Sequence, residues 1–369
     1  MSSSKGDSSK ESCDCSIPLI DFSPFLVDDD QVDDQVRERQ RAVARQIDEV
    51  NRNHGFLALI NFGITEEERT QAFGYTAALF DLPDDYKRTQ LPRIEPSTNL
   101  GYAPVQSERL NTSRPPEMKE AFNIKFPPAW KNDYEHCCRQ PEDAESFGKF
   151  WDDVWLPKFQ TLARRFAVAC AMALQLDAFF FTRNLERFDR CTLRSLHYPP
   201  CDWDDDAGHD PSTTKTALRI GEHTDFGMFT FLLTNPGPDG LQFKSAEGAE
   251  VGGAAAGEAD GWQDVVLPTT ISTPQGDSQQ PVLIVNTGAL LARWTNDEWK
   301  ATAHRVIVPN AEVAGRSRYS MACFIDPDQD SMVEVHPSFA KDGKSIQYEP
   351  IKSSDYLTQK LQSMMKKAS

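Results

Sequence analysis

Residues 221–233 read GEHTDFGMFTFLL, a short polar run that leads into an apolar, strand-like run. Within it, His223 and Asp225 place an imidazole and a carboxylate two residues apart. Side chains at this spacing on an extended strand lie on one face, so both groups can reach the same ion. His304 opens a second strand-like run and offers another imidazole. The pattern therefore predicts a metal site made by His223, Asp225 and His304.

Two imidazoles and one carboxylate leave three coordination positions open. This donor set is typical of Fe(II) sites that bind a co-substrate and dioxygen, whereas zinc fits the donors but offers no oxygen chemistry. Downstream, Arg318 and Ser320 stand in the pattern Arg-x-Ser. Because a guanidinium fork binds a carboxylate through two hydrogen bonds, we predict an enzyme whose metal works beside a bound carboxylate.

Composition excludes several classes of protein. The chain has 369 residues and a net charge of −17, which argues against a nucleic-acid partner because phosphate binding needs clustered Lys and Arg. No apolar run approaches the ~20 residues of a membrane span, and the first residues lack the apolar core of a secretory signal. The eight Cys include no Cys-x-x-Cys pair and are typical of reduced thiols. We expect a monomeric cytoplasmic protein without a membrane partner.

Residues 17–189 are predicted to form an N-terminal helical and mixed region that follows a disordered tail at 1–16. Apolar residues at helical spacing predict helices over 32–50, 73–82, 84–87 and 147–176, the last kinked or divided at Pro157. The segment 54–64 predicts a buried strand, and 92–145 predicts irregular loops that line a pocket.

From about residue 190 the pattern changes to short strands separated by turns. Eight such strands with polar linkers over 190–335 predict a double-stranded β-helix, or jelly roll. The fold class is thus mainly β with flanking helices. The linkers at 247–261 and 272–280 are predicted to be flexible insertions. A C-terminal helical extension, 336–369, includes a helix at 353–366 that is expected to cap the barrel.

The chain resembles the 2-oxoglutarate- and Fe(II)-dependent oxygenases of the isopenicillin N synthase-like group. The resemblance runs from Ile17 to about Leu361 and implies a distorted jelly roll backed by helices. The segments that carry it, in the family's order, are IPLIDFSPF, HGFLALINFGI, LPDDYKR, GYAP, KEAFNI, LHYPPC, GEHTDFGMFTFLL, NTGALLARWTND, ATAHRVIVP and RYSMACFIDPD.

The resemblance implies a role for each matching residue. His223, Asp225 and His304 correspond to the catalytic Fe(II) ligands. The cofactor-binding residues Arg318, Ser320 and Tyr198 correspond to the groups that hold the distal carboxylate of 2-oxoglutarate. Fe(II), 2-oxoglutarate and dioxygen would support hydroxylation, desaturation or ring closure of a small-molecule metabolite in specialised metabolism, with succinate and carbon dioxide as co-products. By position, the residues expected to line the substrate pocket are Tyr102, Phe122, Asn123 and Phe324.

Three positions depart from the family pattern. Leu196 and His197 stand where plant members often have Asn and Tyr, and Asn61 replaces a frequent His. We expect His197 to make structural hydrogen bonds. The gap from Asp225 to His304 is longer than usual because of the two predicted insertions. None of these departures removes a predicted metal ligand.

Other motifs are weaker candidates for metal or anion sites. His136-Cys137-Cys138 lacks a partner pair at zinc spacing and is expected to be structural. The aspartates at 326, 328 and 330 lack the glycine and glutamate of a calcium loop. The acidic stretch 204–210 is expected to be solvated surface, and Arg316 is expected to form an exposed ion pair.

The residues alone leave three rival functions open. An Fe(II) oxidase of the same fold would not depend on 2-oxoglutarate, which oxygen uptake with and without that compound would decide. A non-catalytic metal-binding jelly roll would show no turnover with any metabolite. A zinc-dependent hydrolase would be separated by metal analysis after anaerobic purification.

Overall fold

The computed structural model describes most of the chain between Ser16 and Lys366. The described ranges are 16–94, 98–110, 113–140, 143–202, 218–245, 261–268, 271–273, 276–278, 280–341 and 343–366. The predictions for 1–15, for the acidic stretch 204–210 and for nearly all of 247–261 lie outside these ranges. No helix in the described ranges has both the length and the apolar character that a bilayer crossing requires.

Helices cover one side of the molecule. In the first, Val43, Ile47 and Val50 form a buried stripe, and the Asp33 side chain caps its amino end by accepting from the Val36 N–H. The described residues form the helices α1 (Asp34–Asn53), α2 (Glu66–Phe80), α3 (Asp84–Gln90), α4 (Asp143–Lys149), α5 (Leu156–Ala173), α6 (Ala289–Trp294), α7 (Ala311–Ala314) and α8 (Ser353–Lys366).

The predicted break at Pro157 takes the form of a π-helical segment. Phe150–Trp155 joins α4 to α5, and Pro157 occupies the first turn of α5. Proline has no N–H to donate to the preceding turn, so it suits the start of a helix. The helical segments from α4 to α5 therefore follow one another without a gap, but the hydrogen-bonding pattern changes at the π-helical segment.

Two facing sheets form the core. The larger sheet has the order β1-β2-β12-β7-β14-β5-β4-β3, and the smaller has the order β6-β13-β8-β9. The strands are β1 (Leu19–Asp21), β2 (Phe56–Ile60), β3 (Gly101–Ala103), β4 (Glu120–Lys125), β5 (Thr192–Tyr198), β6 (Ile220–His223), β7 (Phe229–Asn235), β8 (Leu241–Lys244), β9 (Trp262–Asp264), β10 (Ile271–Thr273), β11 (Gly276–Ser278), β12 (Leu283–Thr287), β13 (His304–Val306), β14 (Arg318–Ile325), β15 (Met332–Val333) and β16 (Ile351–Lys352).

The two faces of the larger sheet have different neighbours. Its outer face packs on α5, where Phe166 contacts Phe229 and Phe231. Its inner face meets the smaller sheet, with Phe56 stacked on Phe243 at 5.3 Å between ring centroids. A cluster of apolar side chains from both sheets fills this interior. The fold is the predicted double-stranded β-helix with flanking helices.

All eight strands predicted after residue 190 are present, and two predictions for loop segments are wrong. The region 92–145 contains β3 and β4, which extend the larger sheet. The predicted linker 272–280 contains part of the β10–β11 hairpin. The sequence contains no clear signal for β3 and β4 because both are short and lie among turn and proline residues. Every residue of the two strands is buried, so they lack the alternation of polar and apolar residues that marks a strand with one exposed face. Strands from 17–189 and from 190–335 belong to the same sheet. The division of the chain into two regions at residue 190 therefore describes a change in the sequence pattern and stays a prediction.

A buried ion pair ties α3 to the sheet and gives a test of the fold. Lys87 Nζ lies 2.9 Å from Glu120 Oε2, and both side chains are under 5% exposed. Removing one partner of a buried pair costs about 3–5 kcal/mol because the other charge stays buried. We therefore expect Lys87→Met to lower the free energy of unfolding in urea by that amount.

The exposed pair of Lys149 with Glu145 provides the control for this stability prediction. Lys149→Met should change the free energy of unfolding by less than about 1 kcal/mol. If Lys87→Met unfolds at the same urea concentration as wild type, the Lys87–Glu120 pair does not stabilise the fold.

Candidate metal centre

The three predicted metal ligands meet at one end of the barrel interior. His223 ends β6, His304 begins β13, and the two residues pair directly across these strands. Asp225 Oδ1 lies 3.6 Å from His223 Nε2 and 3.7 Å from His304 Nε2. The three ligand atoms lie within 4.8 Å of one another, and within the described ranges this is the one cluster of His, Cys, Asp or Glu able to hold a metal.

Both imidazoles are oriented by main-chain carbonyl groups. His223 Nδ1 lies 2.9 Å from the Gly221 carbonyl oxygen, and His304 Nδ1 lies 3.2 Å from that of Thr302. An Nδ1–H that donates to a carbonyl leaves the Nε2 lone pair free for a metal. Burial lowers the pKa of His304 to about 4, so its imidazole is neutral at physiological pH. A neutral imidazole is the form that binds a metal.

Two neighbouring side chains fix the carboxylate of Asp225. Its Oδ2 accepts from Thr230 Oγ1 at 2.5 Å and from Asn286 Nδ2 at 2.7 Å, which leaves Oδ1 facing the imidazoles. Burial would raise the pKa of Asp225, but the nearby imidazoles and these two hydrogen bonds lower it overall. Sequence reasoning missed both orienting residues, although each lies on a predicted strand.

The turn after Asp225 depends on two glycines. The structure ends β6 at His223, so Asp225 lies just beyond the strand that was predicted to carry it. At Gly227 a Cβ atom would lie 2.0 Å from Asp326 Oδ1, and at Gly288 it would lie 2.3 Å from the Gly227 carbonyl oxygen. This close approach allows the Ala289 N–H to donate to the Asp225 carbonyl and holds the turn against α6.

Loss of an orienting hydrogen bond is expected to weaken metal binding. Outer hydrogen bonds of this kind typically contribute 10- to 100-fold, as an order of magnitude, to metal affinity. We expect Asn286→Ala and Thr230→Val each to raise the Kd for Fe(II) by roughly 10- to 100-fold, measured by anaerobic titration. Unchanged Kd values in both folded variants would show that Asp225 does not depend on these contacts.

A buried arginine lies on the same inner face. Arg318 is 2% exposed, and its Nε and Nη1 have no hydrogen-bond partner among the described residues. Its guanidinium carbon lies 5.0 Å from the Tyr198 ring centroid, and the Tyr198 hydroxyl lies 3.3 Å from Ser320 Oγ. Burial lowers the pKa of Arg318, which still carries its charge at neutral pH. A buried guanidinium with unpaired N–H groups fits the distal carboxylate of a bound 2-oxoglutarate.

Arg219 is a second buried arginine, which the sequence reasoning did not single out. It is 1% exposed, and its guanidinium carbon lies 5.7 Å from the Tyr198 ring centroid. Its Nη2 donates to the Val313 and Arg316 carbonyls, while Nε and Nη1 have no partner among the described residues. Two buried positive charges therefore lie close to the Tyr198 ring.

The four residues predicted to line the substrate pocket divide between two faces. Asn123 and Phe324 lie on the inner face, because Asn123 bonds to Arg194 and Phe324 pairs with Thr230 beside Asp225. The structure does not bring Tyr102 and Phe122 to this face. Both pack in the core on the helix side, where the Tyr102 hydroxyl donates to Glu120. Strand alternation explains the difference, since Phe122 and Asn123 are neighbours in β4.

The family departures lie on either side of the same sheet. Leu196 is buried among the apolar side chains of the interior with Tyr198. His197 lies on the opposite face, where its ring bonds to Glu120 Oε1 at 2.8 Å and Ser317 Oγ at 3.1 Å. Asn61 bonds to the side chain of Asp21.

The weaker candidates make structural contacts. Arg316 forms the expected exposed ion pairs with Asp239 and Glu312. Asp328 accepts from the main-chain N–H groups of residues 186 and 187. His136, Cys137 and Cys138 belong to no metal-binding cluster in the described ranges.

Comparison with known proteins assigns the two halves of the chain. The model described as non-haem dioxygenase in morphine synthesis N-terminal matches residues 17–145, and that of the 2OG-Fe(II) oxygenase superfamily matches residues 189–327. The 2-oxoglutarate-Fe(II) type oxidoreductase ppzD of Metarhizium majus is 26% identical, over 87% of this chain and 89% of its own length. The proline hydroxylase buaE of Petromyces alliaceus is also 26% identical, over 90% and 94% respectively.

A solved structure agrees with these matches. A full-length Neurospora crassa protein, crystallised in complex with alpha-KG, has a TM-score of 0.72 and 28% identity, covering 94% of this chain and 96% of that one. A further structure of the same Neurospora crassa protein contains thymine as well.

A jelly roll with two histidines and one carboxylate at its open end is the arrangement of a non-haem iron oxygenase. The chain belongs to the 2OG-Fe(II) oxygenase superfamily, and it is a dioxygenase that uses Fe(II), 2-oxoglutarate and dioxygen.

Proposed function

We propose that the chain oxidises a C–H bond of a small-molecule metabolite, with Fe(II) held by His223, Asp225 and His304. In this proposal Arg318, Ser320 and Tyr198 hold the distal carboxylate of 2-oxoglutarate. The observation that carries the proposal is the buried Arg318 guanidinium on the same inner face as the three ligands, with its Nε and Nη1 lacking a partner among the described residues. A dicarboxylate that chelates the metal at one end needs a fixed cation at the other.

The chain's residues position the reactants. When bound, Fe(II) and 2-oxoglutarate would use dioxygen as the oxidant that removes hydrogen from a C–H bond, with succinate and carbon dioxide as co-products. His223 and His304 are oriented through Nδ1 so that their Nε2 atoms face the site, and Asp225 presents the one oxygen that is not used by Thr230 and Asn286. Apolar neighbours on the inner face, such as Leu196 and Ala322, exclude water from the space between the metal ligands and Arg318.

Substrate position would select the outcome. Asn123 and Phe324 lie on the inner face toward the Thr192 end of β5, whereas Arg318 pairs with Tyr198 at the opposite end. We propose that Asn123 and Phe324 contact the substrate. The atom held nearest the metal decides between hydroxylation, desaturation and ring closure, because the oxidising power is the same for each.

The proposed substrate is a small metabolite of specialised metabolism. Two similar proteins, the proline hydroxylase of Petromyces alliaceus and the Neurospora crassa protein solved with thymine, are described with small molecules. The net charge of −17 disfavours a polynucleotide substrate. We also propose that the protein is a cytoplasmic monomer, which is consistent with the free thiols of all the described cysteines.

Fractionation by size tests the class of substrate. Iron-loaded protein and 2-oxoglutarate are mixed in air with the low-molecular-mass or the macromolecular fraction of a fungal extract, and succinate is measured. The proposal expects stimulation by the small molecules alone. Stimulation confined to the protein and nucleic-acid fraction would contradict it.

A further inference from the structure

A lysine side chain lies on the inner face of the larger sheet, at the opposite end of β5 from Arg318. Lys125 ends β4 and pairs with Thr192, which pairs with Phe324, which in turn pairs with Thr230 beside Asp225. Lys125 Nζ donates to Thr192 Oγ1 at 2.7 Å, so its side chain lies over this row of residues. The row leads directly from the lysine to the metal ligands.

The charge of Lys125 is buried without a carboxylate partner. The residue is 4% exposed, and in the described part of the chain no carboxylate oxygen lies within 4 Å of its Nζ. Two of its three N–H donors are used, by Thr192 and by the Arg190 carbonyl. Burial lowers the pKa of Lys125 to about 8. The Trp130 ring centroid lies 5.8 Å from Lys125 Nζ, but the ring brings no full negative charge. A buried ammonium without a carboxylate partner destabilises a fold unless a ligand meets it, and such groups cluster at functional sites.

A second cation lies one diagonal step away. Arg194 pairs with Asn123 across β4 and β5, and its Nη1 donates to Asn123 Oδ1 at 3.2 Å. Diagonal neighbours on one face of an antiparallel pair are roughly 7–8 Å apart at Cα, within reach of long side chains. Lys125 and Arg194 can therefore reach one shared group above the sheet.

Arg194 already has a carboxylate partner, which comes from outside the sheet. Its Nη2 donates to Glu108 Oε2 from the segment between β3 and β4, and Glu108 also accepts from Lys119 Nζ at 2.7 Å. Burial raises the pKa of Glu108, but Arg194 and Lys119 reverse this and lower it to about 2. The Glu108 side chain is 32% exposed, so solvent reaches part of it.

The other charges that face Lys125 are Asp326, Arg190 and Asp189. The Asp326 carboxylate is 8% exposed and accepts no hydrogen bond from any described residue, and Arg190 Nε is buried without a partner there. A doubly charged phosphate would approach Asp326 at a larger electrostatic cost than a singly charged carboxylate would. The balance of charges thus favours a carboxylate.

We propose that Lys125 and Arg194 form the substrate-recognition site of this enzyme and bind a carboxylate on the substrate. In the absence of substrate, Glu108 forms the ion pair with Arg194, and the substrate carboxylate replaces it on binding. This inference rests on the proposed function, because it places the carboxylate above the row that leads to the metal ligands. It assigns a chemical class to the substrate, a small carboxylic acid.

Binding of simple carboxylates tests the site without knowledge of the natural substrate. Protein loaded with Fe(II) and saturating 2-oxoglutarate is titrated without oxygen, by calorimetry, with acetate and benzoate and with the uncharged acetamide and benzamide. We expect the carboxylates to bind and the amides not to. Lys125→Met should weaken carboxylate binding by at least about 10-fold, since a charge-assisted hydrogen bond is lost.

Two further variants separate recognition from a structural role. Lys131→Met removes an exposed lysine from the segment after β4 and should leave carboxylate binding unchanged. Glu108→Gln removes the competing carboxylate from Arg194 and should tighten carboxylate binding several-fold. A variant that merely disturbed the fold would weaken it.

Three results would overturn the inference. These are equal binding of acids and amides, no binding of either acid, and unchanged carboxylate affinity in folded Lys125→Met protein. Failure of the proposed function is distinguishable, because it would appear as absence of iron-dependent succinate formation in wild type, whatever the carboxylates do.

Discussion

His223→Ala is expected to eliminate iron binding and succinate formation together. The variant leaves only the His304 imidazole and the Asp225 carboxylate, and no other His, Cys, Asp or Glu in the described ranges belongs to this cluster. Activity should fall to the rate of protein without iron. Iron content after anaerobic loading and succinate release from 2-oxoglutarate measure the two effects separately.

His136→Ala is the matched control for the loss of a histidine. His136 lies outside the metal-binding cluster, so this variant should keep wild-type iron content and succinate release. Wild-type activity in purified, iron-loaded His223→Ala protein would refute the assignment of His223 as a ligand.

Arg318→Met is expected to remove most of the affinity for 2-oxoglutarate while leaving iron binding intact. Truncating one partner of a buried, hydrogen-bonded charge pair costs about 2–5 kcal/mol, which is roughly 30- to 5000-fold in Kd. The variant should fold well, because it replaces a guanidinium whose Nε and Nη1 are unpaired in the described structure with an apolar side chain.

Thermal unfolding gives a readout of Arg318 that is independent of turnover. A ligand that binds only the folded state raises the melting temperature, so 2-oxoglutarate should stabilise iron-loaded wild type and Arg316→Met but not Arg318→Met. Arg316 is the matched control because it lies in exposed ion pairs two residues away. Equal stabilisation of Arg318→Met and wild type would contradict the predicted carboxylate site.

Much of the site could be predicted because its residues have distinctive chemistry and spacing. The His-x-Asp pair and the distant His304 require only strand alternation and donor chemistry, and the structure brings their ligand atoms together. Arg318 and Ser320 were predicted from the Arg-x-Ser pattern and Tyr198 from the resemblance, and the structure places the three in contact on one inner face. The three roles themselves stay predictions until they are measured.

The site residues that could not be predicted from the sequence are placed by the pairing of distant strands. Thr230, Asn286, Lys125 and Arg194 are ordinary strand residues, and only the register of β4, β5, β7 and β12 brings them to the inner face. Tyr102 and Phe122 show the converse, because a shift of one position along a strand moves a side chain to the other face. Without the location of β4, sequence reasoning had no means of choosing between Phe122 and Asn123.

Oxygen consumption and succinate formation by the iron-loaded wild-type protein, followed together with the small-molecule fraction present, test the proposed chemistry most directly. We predict that both require added 2-oxoglutarate, that both are lost when the protein is stripped of Fe(II), and that they proceed in equal amounts. Oxygen uptake that continues without 2-oxoglutarate and yields no succinate would contradict this chemistry and indicate an oxidase that takes its electrons from the substrate alone.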